Sequence, residues 1–339
     1  MRHIKVLRYV IPLFFYTLSI AFFMNQPIEL INPFEYYHET ELKTLAIYLM
    51  ILLIHVSMLG YVMGFHASHC AQLSLGMKHI LLLFSVVWTL LVSRMSILLM
   101  IVLTLYMVAW FYQRHLTQRT LQMIVIFIYL VALFVVLIPM MLLLFNYESF
   151  LNVSQFQEFI AINHRHEMIS YISLNITYFI RHLCYYLFIW IVGIMPGVLL
   201  GLYHAQRKVM INTVFIQTLI LLIIGTALKL LVTHFSHHFL QFSIVLTGSS
   251  LQGLGVMLML FGLLNHIKGD MHFNIRLFLA SIVLIDTVIY GLFTGLNQLD
   301  YPAQTIQVLF QQSIVVAIVI ALIYSIVSII LNKKLKKTE

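Results

Sequence analysis

The chain has 339 residues, of which 62% are hydrophobic and only 9% are charged. An ordinary soluble domain carries about 25% charged residues, so this composition excludes one. The sequence predicts one integral membrane domain over residues 1–339, folded as an all-α bundle of transmembrane helices. The reason is that a helix satisfies its own backbone hydrogen bonds in lipid.

Ten apolar segments follow one another along the chain, and most approach the ~20 residues that a spanning helix needs. They lie near 6–24, 44–64, 78–93, 95–112, 121–145, 183–203, 211–233, 241–265, 275–297 and 307–331. The stretch 78–112 is ambiguous, because it fits either one very long helix or two short helices that turn at 92–96.

The basic residues decide between these alternatives, since cytoplasmic loops of membrane proteins are enriched in Lys and Arg. A single helix at 78–112 would exchange the sides of every later loop and remove that bias. Ten spans with both termini in the cytoplasm place most of the 19 Lys and Arg residues inside. These are Arg2, Lys5, Arg8, Lys78, Arg114, Arg119, Arg207, Lys208, Lys268, Arg276, Lys333, Lys334, Lys336 and Lys337. This distribution explains the net charge of +8, so the charge does not indicate nucleic-acid binding.

One acid, Asp286, lies in the middle of the apolar run 275–297, and no other Asp or Glu lies inside an apolar run. A carboxylate at the bilayer centre costs about 2.5–3.5 kcal/mol on insertion scales and normally faces the protein interior with a partner. Tyr290 and Thr294 follow at helical spacing on the same face. We therefore expect Asp286 to be buried and to serve substrate binding, proton coupling or catalysis. The alternative is a structural hydrogen bond between helices.

Three further polar residues are candidates for the same site. His55 lies in the middle of the second segment at the depth of Asp286, so we expect it to be the partner and a second candidate catalytic residue. A histidine that only packs is the alternative. Lys229, near the outer end of the seventh segment, can extend to the membrane surface. Gln252 in the eighth segment can bond across a helix interface or line a substrate path.

Small residues predict two features of helix packing. Pro196, between Gly193 and Gly197, predicts a kink in the sixth segment. A group near the centre of the eighth segment allows close approach of another helix. Its members are Gly248, Ser249, Ser250, Gly253 and Gly255.

Neither a metal nor a cofactor is predicted. Cys70 and Cys184 lie in different segments and lack the spacing of metal ligands. The histidines expected outside the membrane match no dedicated metal motif. They are His164, His166, His234, His237 and His238. No nucleotide-binding or hydrolase motif occurs, so the sequence leaves open whether the protein is an enzyme.

Residues 279–287 read LASIVLIDT, with polar side chains at Ser281, Asp286 and Thr287. This segment resembles the A-L-T-N-Y-L-x-Q-S helix of the YeiB-like family of bacterial multi-pass membrane proteins, with Asp286 on its Gln, Thr287 on its Ser and Ser281 on its Thr. Residues 322–328 resemble the family's last helix. That family is similar to transmembrane acyltransferases of the heparan-glucosaminide acetyltransferase type.

Two other segments of the chain also resemble this family, and at two positions the sequence differs from the family's motifs. Residues 189–207 are similar to its mid-chain helix, and Leu7-Arg8 resembles its L-R-G motif, with Tyr9 in place of the Gly. Ile282 stands where the family has Asn. The resemblance implies a bacterial cytoplasmic membrane and acyl transfer to an envelope glycan or lipid.

We favour a transporter-like protein that binds or moves an amphipathic, lipid-like or envelope substrate. The expected partners are the lipid bilayer and either an amphipathic substrate or a partner membrane protein, and no nucleic acid. One alternative is a membrane acyltransferase in which His55 or Asp286 is the base. The other is a non-catalytic accessory or immunity protein that acts beside a peptide exporter or against a membrane-active peptide.

Overall fold

The computed structural model describes residues 5–24, 55–91, 97–114, 190–205, 211–231, 238–265, 273–298 and 306–338, together with single positions between 117 and 176. Almost all of these residues are helical, and none of them lies in a β-strand. The all-α prediction is therefore confirmed for this part of the chain. The apolar segment 121–145 lies outside the described helices.

The helices follow the apolar segments closely. In chain order they are α1 (Leu7–Met24), α2 (55–65), α3 (Ala67–Gln72), α4 (Leu75–Leu91), α5 (Ile97–Gln113), α6 (Met195–Ala205), α7 (Ile211–Leu231), α8 (His238–Asn265), α9 (Ile275–Gln298) and α10 (Ile306–Thr338). A π-helical turn, Trp190–Ile194, leads directly into α6.

Three of these helices are long and apolar enough to cross a membrane, through Val214–Leu231, Thr247–Leu264 and Ile314–Leu331. Only 17% of the α7 stretch and 22% of the α10 stretch is buried, against 61% of the α8 stretch. Apart from Thr226, the exposed side chains described on α7 and α10 are apolar, so these helices suit contact with lipid. α8 is the more interior of the three.

The ambiguous stretch 78–112 forms two helices, as the distribution of basic residues predicted. α4 ends at Leu91, α5 begins at Ile97, and the two helices pack against each other. α5 also contacts α3 and the π-helical turn, which places it inside the bundle. On the other side, α1 packs against α9 and α10.

α2 and α6 approach each other so closely that their backbones touch. A β-carbon on Gly60 or Gly64 would collide with a carbonyl oxygen at Ile194 or Val198, and one on Gly201 with the carbonyl oxygen of Tyr61. Only glycine permits this separation, as in the small-residue packing common between membrane helices. Tyr61 adds a hydrogen bond of 3.1 Å between its hydroxyl and Nδ1 of His204.

The kink predicted at Pro196 takes a different form in the structure. The α-helical hydrogen-bond pattern is interrupted by the π-helical turn immediately before Pro196, which lacks the N–H that an α-helix would use there. Gly197 serves close packing, because a β-carbon there would collide with the carbonyl oxygen of Ser57.

α7 and α8 form the second close contact, at the edge of the bundle. Gly225 and Gly248 face each other, and a β-carbon on either would meet the other's carbonyl oxygen at 2.6–2.7 Å. Two turns further along α8, Gly255 faces the side chain of Leu222. The prediction that small residues in the eighth segment permit close helix approach is confirmed.

Candidate functional site

Asp286 lies in the interior of the protein, on the face of α9 that turns away from lipid. Its side chain is only 2% exposed, so the expected burial is confirmed. Its Oδ2 accepts a hydrogen bond of 3.0 Å from the indole Nε1 of Trp88 on α4. Asp286 is also the only acidic residue in the described ranges. The site is therefore a buried carboxylate held between two helices.

Trp88 suits this position because an indole ring has a large apolar body and a single N–H donor. Phe84, one turn earlier on α4, stacks against the ring at 5.9 Å between centroids and fixes its orientation. The neighbouring hydroxyls do not compete for the carboxylate. Those of Ser85 and Thr89 donate to carbonyl oxygens of their own helix.

Tyr16 on α1 is the third member of the site. Its side chain is completely buried, and it lies close enough to Asp286 to experience the charge of the carboxylate. Its hydroxyl has no hydrogen-bond partner in the part of the chain that the structure describes. A carboxylate can accept about four hydrogen bonds, and Trp88 supplies one. The site can therefore accept a proton or a further donor.

His55 is placed next to this site but in a different role from the one expected. It was predicted to be the partner of Asp286, whereas the donor that the structure gives to Asp286 is Trp88. The imidazole of His55 stacks on Phe15 of α1, with 4.9 Å between ring centroids and 5° between planes. Since Phe15 precedes Tyr16, His55 contacts the neighbouring face of the same helix.

Lys229 and Gln252 form a separate polar chain between α7 and α8. Nζ of Lys229 donates to Oε1 of Gln252 at 2.5 Å, and Nε2 of Gln252 donates to the Thr226 hydroxyl at 2.9 Å. Lys229 is thus paired across a helix interface, which neither its candidacy for the Asp286 site nor the alternative of extension to the membrane surface predicts. These two residues lie on a different helix pair from Asp286.

The remaining candidates fall outside the described side chains. Tyr290 and Thr294 lie on α9, but the described side chains of this helix end at residue 288. The histidine pair 164 and 166 lies outside the described residues. The grouping of Asp286 with Tyr290 and Thr294 stays a prediction.

Sequence reasoning missed Trp88 and Tyr16, although both carry a usable signal. Each is an aromatic residue with a polar atom inside an apolar segment, and a buried polar atom needs a partner. A search restricted to acids, lysines and histidines overlooks such donors.

Comparison with known proteins adds no further constraint. No protein-family model, no curated protein and no solved structure matches this chain. The resemblance to the YeiB-like family therefore stays a prediction from the residues quoted above.

Proposed function

We propose that the chain is a transporter-like, multi-pass protein of a bacterial cytoplasmic membrane that binds and moves an amphipathic or lipid-like substrate. In this proposal Asp286 takes up and releases a proton during the cycle. The observation that supports it is the enclosed carboxylate, which accepts one described hydrogen bond, from Trp88, and lies near the hydroxyl of Tyr16, for which the described residues supply no partner.

The protonation state of Asp286 depends on which of two environments surrounds its carboxyl group. Enclosure by protein favours the neutral acid, whereas contact with water favours the carboxylate. A conformational change that admits water to Asp286 would therefore exchange a proton. The indole of Trp88 is a donor only, so it stabilises the carboxylate and its bond weakens when Asp286 is protonated.

The decisive variant is Asp286→Asn, which keeps the shape of the side chain but cannot ionise. Wild-type and variant proteins would be reconstituted in vesicles that contain a fluorescent phosphatidylglycerol. Movement of this lipid between leaflets would be measured with and without a pH gradient. We expect the variant to fold with an unchanged melting temperature and to move the lipid at least about tenfold more slowly.

Asp300→Asn is the matched control, because it removes an acid that the sequence places outside the membrane. It should leave the rate unchanged. A fully active Asp286→Asn protein would exclude proton exchange at Asp286. A wild-type protein that moves no lipid at all would exclude this substrate class and favour an accessory role or acyl transfer.

We further propose ten spans with both termini in the cytoplasm. The support is the excess of basic residues on the inner side and the division of 78–112 into α4 and α5. A topology reporter fused after Arg94 should report the outside, and one fused after Arg119 the inside. Two reporters on the same side would overturn the proposed topology.

A further inference from the structure

Arg8, in the first turn of α1, is a buried cation without a described anionic partner. Its side chain is only 8% exposed. One guanidinium nitrogen, Nη2, donates to the carbonyl oxygen of Leu264 at 3.2 Å, and the guanidinium carbon lies 5.7 Å from the ring centroid of Phe261. Its Nε is buried and has no hydrogen-bond partner in the described part of the chain.

The one acid in the described ranges cannot neutralise Arg8. Asp286 faces Tyr16, which follows Arg8 by eight residues on α1, a separation of roughly 12 Å along the helix at 1.5 Å per residue. A carbonyl oxygen and an aromatic face stabilise a cation only in part, and a buried charge normally requires a counter-charge. Among the described residues, Arg8 is therefore a buried cation without a counter-charge, and its Nε has no acceptor there.

The residues around Arg8 include further donors. The Tyr9 hydroxyl and Nε2 of His66 share a hydrogen bond of 3.1 Å. His66 stacks on Phe273 at 4.0 Å between ring centroids, and His69 lies 5.8 Å from His66. Burial, then the nearby His69 and Arg8, lower the pKa of His66 to about 3, so its ring is neutral at physiological pH.

We propose that Arg8, together with the Tyr9–His66 pair, forms a binding site for a phosphate-ester anion at this end of the bundle. A guanidinium presents its N–H groups in a planar fork that matches phosphate oxygens. The rings of Phe261 and Phe273 supply an apolar wall beside the charge. The anion comes either from the headgroup of an acidic phospholipid or from a soluble phosphate compound.

The proposal is independent of the function proposed for Asp286. The two sites lie at different levels of α1, and an anion at Arg8 requires neither proton exchange nor transport. The Asp286→Asn variant should therefore bind the anion with the affinity of the wild type, whether or not its rate of lipid movement changes.

Two probes distinguish the two sources of the anion. The purified full chain would be placed in lipid nanodiscs made of phosphatidylcholine alone or with added phosphatidylglycerol, and bound phosphatidylglycerol would be counted by native mass spectrometry. In parallel, inorganic phosphate would be titrated by calorimetry against the protein in phosphatidylcholine nanodiscs. We expect saturable, one-to-one binding of at least one probe.

Arg8→Gln should weaken this binding about tenfold or more, since it removes a charge-assisted donor set. Arg276→Gln is the matched control, because Arg276 at the start of α9 is exposed and its loss removes the same charge. It should change the affinity by less than about twofold.

Three outcomes would overturn the proposal. The first is a wild-type protein that binds neither probe, and the second is equal loss of binding in the two variants. If Arg8→Gln does not fold, Arg8→Lys replaces it in the test, because lysine keeps the positive charge but lacks the planar N–H donors of the guanidinium. Its binding should be weaker than that of the wild type, and undiminished binding by Arg8→Lys is the third outcome.

Discussion

The contact between α2 and α6 and the contact between α7 and α8 both depend on glycine, but they differ in what lies opposite. In the first, Gly60, Gly64, Gly197 and Gly201 all face backbone atoms of the other helix. In the second, the Gly225–Gly248 pair does so, whereas the atoms nearest to a β-carbon on Gly255 or Gly262 belong to the side chains of Leu222 and Val214. Backbone atoms cannot move aside, whereas side chains can. The interior contact is therefore the more rigid of the two.

Gly64→Ala should give the largest effect, because the new methyl group would collide with the carbonyl oxygen of Val198. The two helices would have to separate, and we expect a loss of about 3 kcal/mol, the upper end of the usual range for overpacking. The measurement is thermal unfolding of the purified protein in detergent.

Gly76→Ala is the control for this substitution, since no atom lies within 4 Å of the position where its β-carbon would be. Alanine is the better helix former, so stability should be unchanged or rise by up to about 1 kcal/mol. Equal destabilisation by Gly64→Ala and Gly76→Ala would refute the close contact between α2 and α6.

Gln252→Leu should have an intermediate effect at the edge of the bundle. It removes the acceptor of Lys229 and the donor to Thr226. Hydrogen bonds between membrane helices contribute about 0.6–1.7 kcal/mol, and we expect a loss of about 1 kcal/mol in the same unfolding experiment.

The double variant Lys229→Leu with Gln252→Leu tests the pairing itself. Gln252→Leu leaves the charge of Lys229 without its partner, and the double variant removes that charge as well. The double variant should therefore be more stable than Gln252→Leu alone. If the two substitutions are simply additive, Lys229 and Gln252 do not interact.

Gly255→Ala should have the smallest effect. Its new methyl group would lie 3.1 Å from Cγ of Leu222, an atom of a flexible side chain that can shift by a few tenths of an ångström. We expect a loss below about 1 kcal/mol. A loss as large as that of Gly64→Ala would mean that α7 and α8 are held as rigidly as the interior pair.

The sequence predicted the depth of the candidate site but not its lateral arrangement. Asp286 stands out because it is the one acid inside an apolar run, and the cost of exposing it to lipid places it in the interior. Depth along the membrane normal can be counted in residues. It cannot distinguish His55 from Trp88, since both lie inside apolar segments and only the folded arrangement, in which the indole of Trp88 reaches Asp286, selects Trp88.

The glycine contacts show the same limit. The spacing Gly60 to Gly64 and Gly197 to Gly201 is the pattern of close helix approach, yet it does not say which helix approaches which. A bond across an interface is one of the two alternatives that the sequence leaves open for Gln252, and the structure shows this bond, to Lys229 and Thr226 of α7. Its partner Lys229 could not be deduced, because a lysine at that depth can equally well extend to the membrane surface.

The π-helical turn Trp190–Ile194 changes the direction in which the side chains of α6 point around the helix axis. One additional residue within a turn advances the direction of all following side chains by about 100° around the axis. On one side of this shift, Nε1 of Trp190 donates to the Thr104 hydroxyl of α5 at 2.8 Å. On the other side, Gly197 and Gly201 face α2. A single inserted residue thus lets one continuous segment meet two neighbours, and its removal would rotate both glycines out of register with α2.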